Sequence, residues 1–235
     1  MITCSICHTS NHHLAIVCSS CGGFVQNRID NLDLFALIWK IIESPSKAFR
    51  TIAIAKHKNY SILLPGVAGI AFAFFVFWLF KFGDHAESLV NILGGGFAVG
   101  PFLGILTVLI FSLILILTTK LNGLDVKFRN TYATVAYVCV PVVLSFIFIF
   151  PVEIMTFGIF LFTKNPSPYS LKPMSYILLM ILDGTFTAWS FVLLFVGIKA
   201  LLDVPWLKVC RIVLLSLFLF GGLAVGIQYL IDLKW

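Results

Sequence analysis

Apolar positions run along most of this chain in blocks too long for an ordinary soluble fold. After a polar, cysteine-rich start over residues 1–23, the apolar residues Leu34, Phe35, Ile38, Ile41 and Ile42 recur at helical spacing with Lys40 and Glu43 among them, which predicts an amphipathic helix. Ser44 followed by Pro45 pairs a cap residue with a proline at the first helical position. A second helix should therefore restart there, with Phe49, Ile52 and Ala53 beside Lys47, Arg50 and Lys56. Neither piece is a long uninterrupted apolar run, so both are expected on the bilayer surface with their basic side chains toward the head groups.

Five long apolar runs follow, over residues 62–82, 97–118 (inside the uncharged stretch 89–119), 132–152, 174–198 and 212–231. Each is close to the roughly 20 residues that cross a hydrocarbon core, where every backbone amide must be paired within its own segment, so each is expected to be a helix. Pro141 and Pro151 should kink the third. The short run 154–163 is about half a span and reads as an interfacial or re-entrant extension.

Composition agrees. Of 235 residues, 60% are apolar, 11% are charged and 24 are phenylalanine, against about 45–50% apolar and about 25% charged in soluble domains. Too little polar surface remains to cover a globule, which excludes a large soluble catalytic domain. The first residues have neither a basic n-region nor an apolar h-region, so no cleaved signal peptide is expected. Charge then orients the bundle. Twelve Lys and Arg residues fall before the first span and in the loops after spans two and four, whereas four (Lys81, Lys164, Lys172 and Lys234) fall on the other side. Under the positive-inside rule the N-terminus is cytoplasmic and the C-terminus outside. The expected fold is an all-α membrane protein: a zinc ribbon over residues 1–23, amphipathic interfacial helices over 24–60, and a five-transmembrane-helix bundle over 61–235.

Cys4, Cys7, Cys18 and Cys21 form two Cys-x-x-Cys pairs ten residues apart. A two-residue gap turns both thiolates toward one ion, and two such turns supply the four soft ligands of a tetrahedral zinc site. Disulfides are the competing use of these cysteines, and a reducing cytoplasm argues against them. His8, His12 or His13 could replace one ligand, or could simply be solvated. One Zn2+ with four protein ligands leaves no open position for water, so its role would be structural, and it would supply the folding energy that some twenty residues cannot bury.

Inside the spans, Asp183 is the one carboxylate these boundaries enclose. A central Asp costs about 2.5 to 3.5 kcal/mol on translocon scales, so it should be satisfied. It is either a proton or cation relay or substrate contact, or a residue near a helix entrance paired with Thr185, Thr187 or backbone beside Gly184. Gly96, Gly100 and Gly104 share one helix face, and Gly222 and Gly226 repeat the spacing in the fifth span. Such faces serve close helix packing within the bundle or, as the sharper reading, a homo-oligomer. No catalytic triad, HExxH, phosphate loop or dinucleotide fingerprint occurs, so the chain is not expected to be an enzyme. Topology and anionic lipid account for the basic loops without nucleic acid.

Residues from about 35 onward, with "SPSKAFRTIA" before the first span, "NGLDVKFRNTYATVAYVCVPVVLS" entering the third and "WSFVLLFVGIKALLDVPWLKVCRIVLL" joining the fourth to the fifth, resemble the Yip1 domain family. The resemblance implies five spans and a cytoplasmic N-terminus. Eukaryotic relatives are linked to Rab-type GTPases and vesicle transport, while prokaryotic relatives can carry an N-terminal zinc ribbon, which suggests a prokaryotic cytoplasmic membrane here. The Asp-Leu-Tyr-Gly-Pro stretch of the eukaryotic members is reduced to Gly100-Pro101-Phe102, so no GTPase-binding residue carries over. The expected function is a non-catalytic membrane adaptor or organiser whose ribbon contacts a cytoplasmic protein partner or lipid. The alternative is a small transporter or channel for an ion, solute or lipid that uses Asp183.

Overall fold

The computed structural model describes residues 1–27 and 29–232. Arg28 and Lys234, two of the basic residues used above to orient the bundle, lie outside the described residues. The chain is mostly helical. Among the described residues, a two-stranded antiparallel ribbon of β1 (Ile2–Thr3) and β2 (Ser10–Asn11) precedes ten α-helices: α1 (Leu34–Glu43), α2 (Pro45–Ile54), α3 (Leu63–Leu79), α4 (Leu89–Leu121), α5 (Phe128–Val138), α6 (Val140–Phe148), α7 (Phe150–Phe157), α8 (Pro168–Leu171), α9 (Pro173–Leu202) and α10 (Trp206–Asp232). These group into two compact units, the first made of residues 1–60, 111–135 and 194–235, the second of 61–110 and 136–193.

Among the described residues, four stretches are long and apolar enough to cross a membrane: Leu89–Leu121, Phe128–Phe162, Pro173–Leu202 and Trp206–Leu223. The first of the five expected runs forms α3, which has 17 residues and at 1.5 Å per residue reaches about 25 Å, short of a hydrocarbon core of about 30 Å. The third expected span is continuous as an apolar stretch but broken as a helix. Backbone regularity lapses at Cys139 and Ile149, two residues before Pro141 and Pro151, so that α5, α6 and α7 follow one another with each proline at the second position of a new helix. A proline there needs no amide partner, which explains why breaks rather than a smooth bend appear. The run expected as a re-entrant extension supplies the last residues of α7 and then a 3-10 turn, Gly158–Phe162.

In the first unit, Asp33 caps α1 by accepting the Ala36 amide at 2.9 Å. The two amphipathic helices differ in what they bury. Phe49, Ile52, Ala48 and Ala53 of α2 are all buried, and Phe49 packs where Gly197 of α9 leaves room: a Cβ on Gly197 would stand 3.2 Å from the ring and 2.9 Å from Thr134 Cγ2. The apolar face of α2 is therefore taken by protein rather than lipid. Helix α1 has two apolar faces. Leu37 and Ile41 are 4% and 0% exposed, whereas Phe35, Trp39 and Ile42, spaced to share the opposite side, are 82%, 69% and 52% exposed. Lys58 closes α2 by donating to the carbonyls of Ile52 and Ala53. Burial, with Arg129 nearby, pulls its ammonium down to about 8.

The second unit has an aromatic core. Phe74 of α3 stacks on Phe150 at 4.5 Å and meets Phe97 edge-on at 5.8 Å, within a cluster that includes Ile70, Ile92, Ile149, Phe157, Leu161, Phe162 and Leu179. Helices α3 and α4 approach backbone to backbone. A Cβ on Gly100 would sit 2.5 Å from Ile70 Cα, and one on Gly104 would sit 2.6 Å from Gly69 Cα, while Gly96 faces the Phe74 ring. Only hydrogen fits at such distances. At Gly222 and Gly226 a Cβ would meet nothing within 4 Å among the described residues.

Candidate metal centre and intramembrane carboxylates

Two similar turns build the cysteine cluster. The β1–β2 ribbon, in register Ile2↔Asn11 and Thr3↔Ser10, returns the chain so that the Cys4 amide donates to Thr9 O at 3.0 Å and the His8 amide to Cys4 O at 3.0 Å. In the second turn the Cys18 amide donates to Gly23 O at 2.8 Å and the Gly22 amide to Cys18 O at 3.2 Å. Each turn reverses through a left-handed residue directly after its second cysteine, His8 at φ 55° and Gly22 at φ 73°. Backbone amides then point at sulfur: Ile6 N lies 3.4 Å from Cys4 Sγ and Ser20 N lies 3.4 Å from Cys18 Sγ.

The four sulfurs all lie within 4.8 Å of one another, with Cys4 to Cys21 at 3.6 Å and Cys7 to Cys18 at 3.5 Å, and no cysteine is bonded to another. A tetrahedral ion with metal–sulfur bonds of about 2.3 Å needs sulfur–sulfur edges of about 3.8 Å, so this donor set fits a metal of that geometry closely. The thiols differ in acidity. The amides of Cys21 and Ser20 hold Cys18 down to about 6, and hydrogen bonds to Thr9 lower Cys7. The Gly23 amide draws Cys21 down as well, but crowding by the Cys7 and Cys4 sulfurs more than offsets it and pushes Cys21 up to about 12. A bound metal would replace that crowding with four bonds.

None of the three histidines joins the cluster. The His12 ring meets that of His13 at 4.3 Å, tilted by 38°, and His13 Nε2 lies 3.3 Å from Ala200 O with Asp203 3.9 Å from its other nitrogen. Burial, and His12 beside it, lower the His13 imidazole below its usual range. Within the first unit the module is thereby tied to the end of α9, and α2 adds a second tie, because Arg50 donates to His13 O and to Gln26 Oε1, each at 3.3 Å. Sequence reasoning missed Asn11. It is buried, donates to Thr9 O at 2.9 Å and toward Cys18 Sγ at 3.5 Å, and accepts from Ser19 N at 2.9 Å, so it cross-links the two turns around the sulfurs. An Asn beside two histidines carries no signal of its own in the sequence.

Within the second unit, Asp183 of α9 accepts a hydrogen bond from Ser145 Oγ of α6. Glu153 of α7 lies beside the same carboxyl. Glu153 is only 4% exposed, and its Oε1 is buried with no hydrogen-bond partner among the described residues. Asp183 is therefore not the one carboxylate at membrane depth. Glu153 fell between two expected segments, yet the apolar stretch Phe128–Phe162 runs through it. The neighbours Pro151, Val152, Ile154 and Met155, apolar on both sides of a single acid, were the signal that could have found it.

A family profile for the Yip1 domain matches residues 39–227, and the chain belongs to that family. Neither a curated protein nor a solved structure matches it. Family members are generally non-catalytic membrane proteins. Four apolar helices and the Yip1 domain fit a multi-pass membrane protein in contact with the lipid bilayer, carrying near its N-terminus a cysteine cluster compatible with a zinc ribbon.

Proposed function

We propose that this protein is a non-catalytic membrane organiser. Its cytoplasmic zinc ribbon, held by Cys4, Cys7, Cys18 and Cys21, receives a protein partner or anionic lipid, while the bundle anchors it in a prokaryotic cytoplasmic membrane. The observation that carries this reading is the exposed Phe35, Trp39 and Ile42 stripe on α1, on a helix that packs against α2. Helix α2 in turn holds the cysteine module through Arg50. An apolar stripe of this kind suits the boundary between head groups and acyl chains, and it would set the ribbon at a fixed place on the membrane surface. In this reading α3 is the first of five spans, the N-terminus is cytoplasmic and the C-terminus outside. The Gly222 and Gly226 face, open among the described residues, is available to a second copy.

The Ser145, Asp183 and Glu153 group favours a second reading, a small transporter or channel. It ranks below the first because a conduction path needs several convergent polar groups along its length, and this is a single cluster. Crosslinking and affinity capture from native membranes, with the full chain and with a chain lacking residues 1–23, separate the two. A partner retained only by the full chain supports the organiser. No ribbon-dependent partner, together with vesicle flux that Asp183→Asn abolishes, overturns it.

A further inference from the structure

We propose that Asn11 is a positioning residue for the metal centre: its carboxamide locks the two cysteine turns together and gives Cys18 a hydrogen bond beyond those that the backbone provides. Resting on the reading of Cys4, Cys7, Cys18 and Cys21 as a zinc site, this adds to it a side chain that is not itself a ligand.

Bonding capacity sets the first constraint. A primary amide has two N–H donors and an oxygen with two lone pairs, and Asn11 uses all four. Its Nδ2 donates to Thr9 O at 2.9 Å and to Cys18 Sγ at 3.5 Å, while its Oδ1 accepts from Ser19 N at 2.9 Å and from Ser19 Oγ at 3.0 Å. The surroundings fix which end of the amide is which, because a backbone N–H such as that of Ser19 only donates and a carbonyl such as that of Thr9 only accepts. The side chain is 6% exposed, so these bonds are made away from water, where an unmade one is costly. They divide between the turns. Thr9 O, which also takes the Cys4 amide at 3.0 Å, belongs to the first turn, and Cys18 and Ser19 belong to the second. Aspartate lacks the donors, leucine lacks donors and acceptor alike, and glutamine carries its amide one methylene further out.

Charge sets the second constraint. Four thiolates around one divalent ion leave negative charge in excess, and residues 1–27 contain no Lys or Arg to offset it. The N-terminal amine faces Asp203 at 3.6 Å, and Arg50 donates to His13 O and Gln26 Oε1. The excess is therefore left to N–H groups aimed at sulfur. Ile6 N and Ser20 N lie 3.4 Å from the sulfurs of Cys4 and Cys18, and the turns themselves provide both. Asn11 Nδ2 adds a side-chain donor, on the one residue that also bridges the two turns to each other. Partners of this kind orient metal ligands, and their loss typically costs about 10–100-fold in affinity.

The test is metal binding by the full chain purified in detergent, with Zn2+ affinity measured by competition with a chromophoric chelator and Co2+ as the spectroscopic probe of the thiolates. Asn11→Ala removes the bridge and is expected to weaken Zn2+ binding about 10–100-fold. Asn11→Asp keeps the shape but sets a carboxylate against a thiolate and a carbonyl, so it should weaken binding further. Both variants lose the N–H bond that stabilises the Cys18 sulfur lone pairs, so in both the sulfur-to-Co2+ charge-transfer band should move to lower energy. Ser19→Ala keeps the Ser19 amide bond and should bind like the wild type. Wild-type Zn2+ affinity in both Asn11 variants overturns the proposal. So does weakened binding with an unmoved Co2+ band, which would reduce Asn11 to a structural link. Asn11→Ala decides both points even if Asn11→Asp does not fold. A wild type that takes up neither metal overturns the zinc site itself, so the two failures are told apart by the wild-type measurement.

Discussion

At the scale of single residues, chemistry is concentrated in two places, and they were not equally legible. The four cysteines announce themselves because spacing alone specifies their job. Asp183 stands out because a charge amid apolar residues is conspicuous. Glu153 and Asn11 did not stand out, since one sat at an assumed helix end and the other resembles any turn residue, and only the folded chain brings them beside Asp183 and Cys18. Metal analysis of purified protein should find one zinc per chain, lost in a Cys18→Ser, Cys21→Ser double variant; unchanged stoichiometry in that variant would refute the site. Protons compete with metal for thiolates, so binding should strengthen as pH rises and weaken as pH falls. At Asp183, substitution by Asn keeps an acceptor for Ser145 and a donor for Glu153 and should leave abundance near wild type. Asp183→Leu strands both partners, at about 1–3 kcal/mol for each buried group left unsatisfied, and should lower abundance, as read by membrane immunoblot. Equal abundance of the two variants would contradict the contacts described.

At the scale of elements, periodicity foretold the helices and mistook some of their surroundings. It placed both amphipathic helices on lipid, but an apolar stripe has no label saying what will cover it, and α2 buries its stripe against Gly197 and Thr134. It also could not say that the glycine face of α4 meets Gly69 of α3, because the two glycine patterns lie in different helices and only packing pairs them. Gly104→Ala forces a methyl into the α3 backbone and should destabilise by about 1–3 kcal/mol, the usual range for overpacking. Gly94→Ala on the same helix meets open space and should be neutral or stabilise by about 0.5–1 kcal/mol through helix propensity. Thermal unfolding in one detergent compares them, and equal shifts would show that α3 and α4 do not approach as described.

At the scale of the whole molecule, hydropathy and the family match make this a multi-pass membrane protein. The number of spans is where length becomes decisive, since α3 reaches only about 25 Å and crosses only if its flanking residues or a locally thinner bilayer make up the difference. Reporters at each end resolve this: the five-span arrangement predicts a cytoplasmic N-terminal signal and an external C-terminal one, whereas two cytoplasmic termini would mean that α3 does not cross. The organiser reading adds that the bundle does not conduct, so that Asp183 and Glu153 hold helices together without lining a path. Proton and monovalent-cation flux in vesicles reconstituted with wild type or with Asp183→Asn measures that directly. Flux equal to protein-free vesicles in both cases is the predicted result; flux in the wild type that Asp183→Asn abolishes would contradict it.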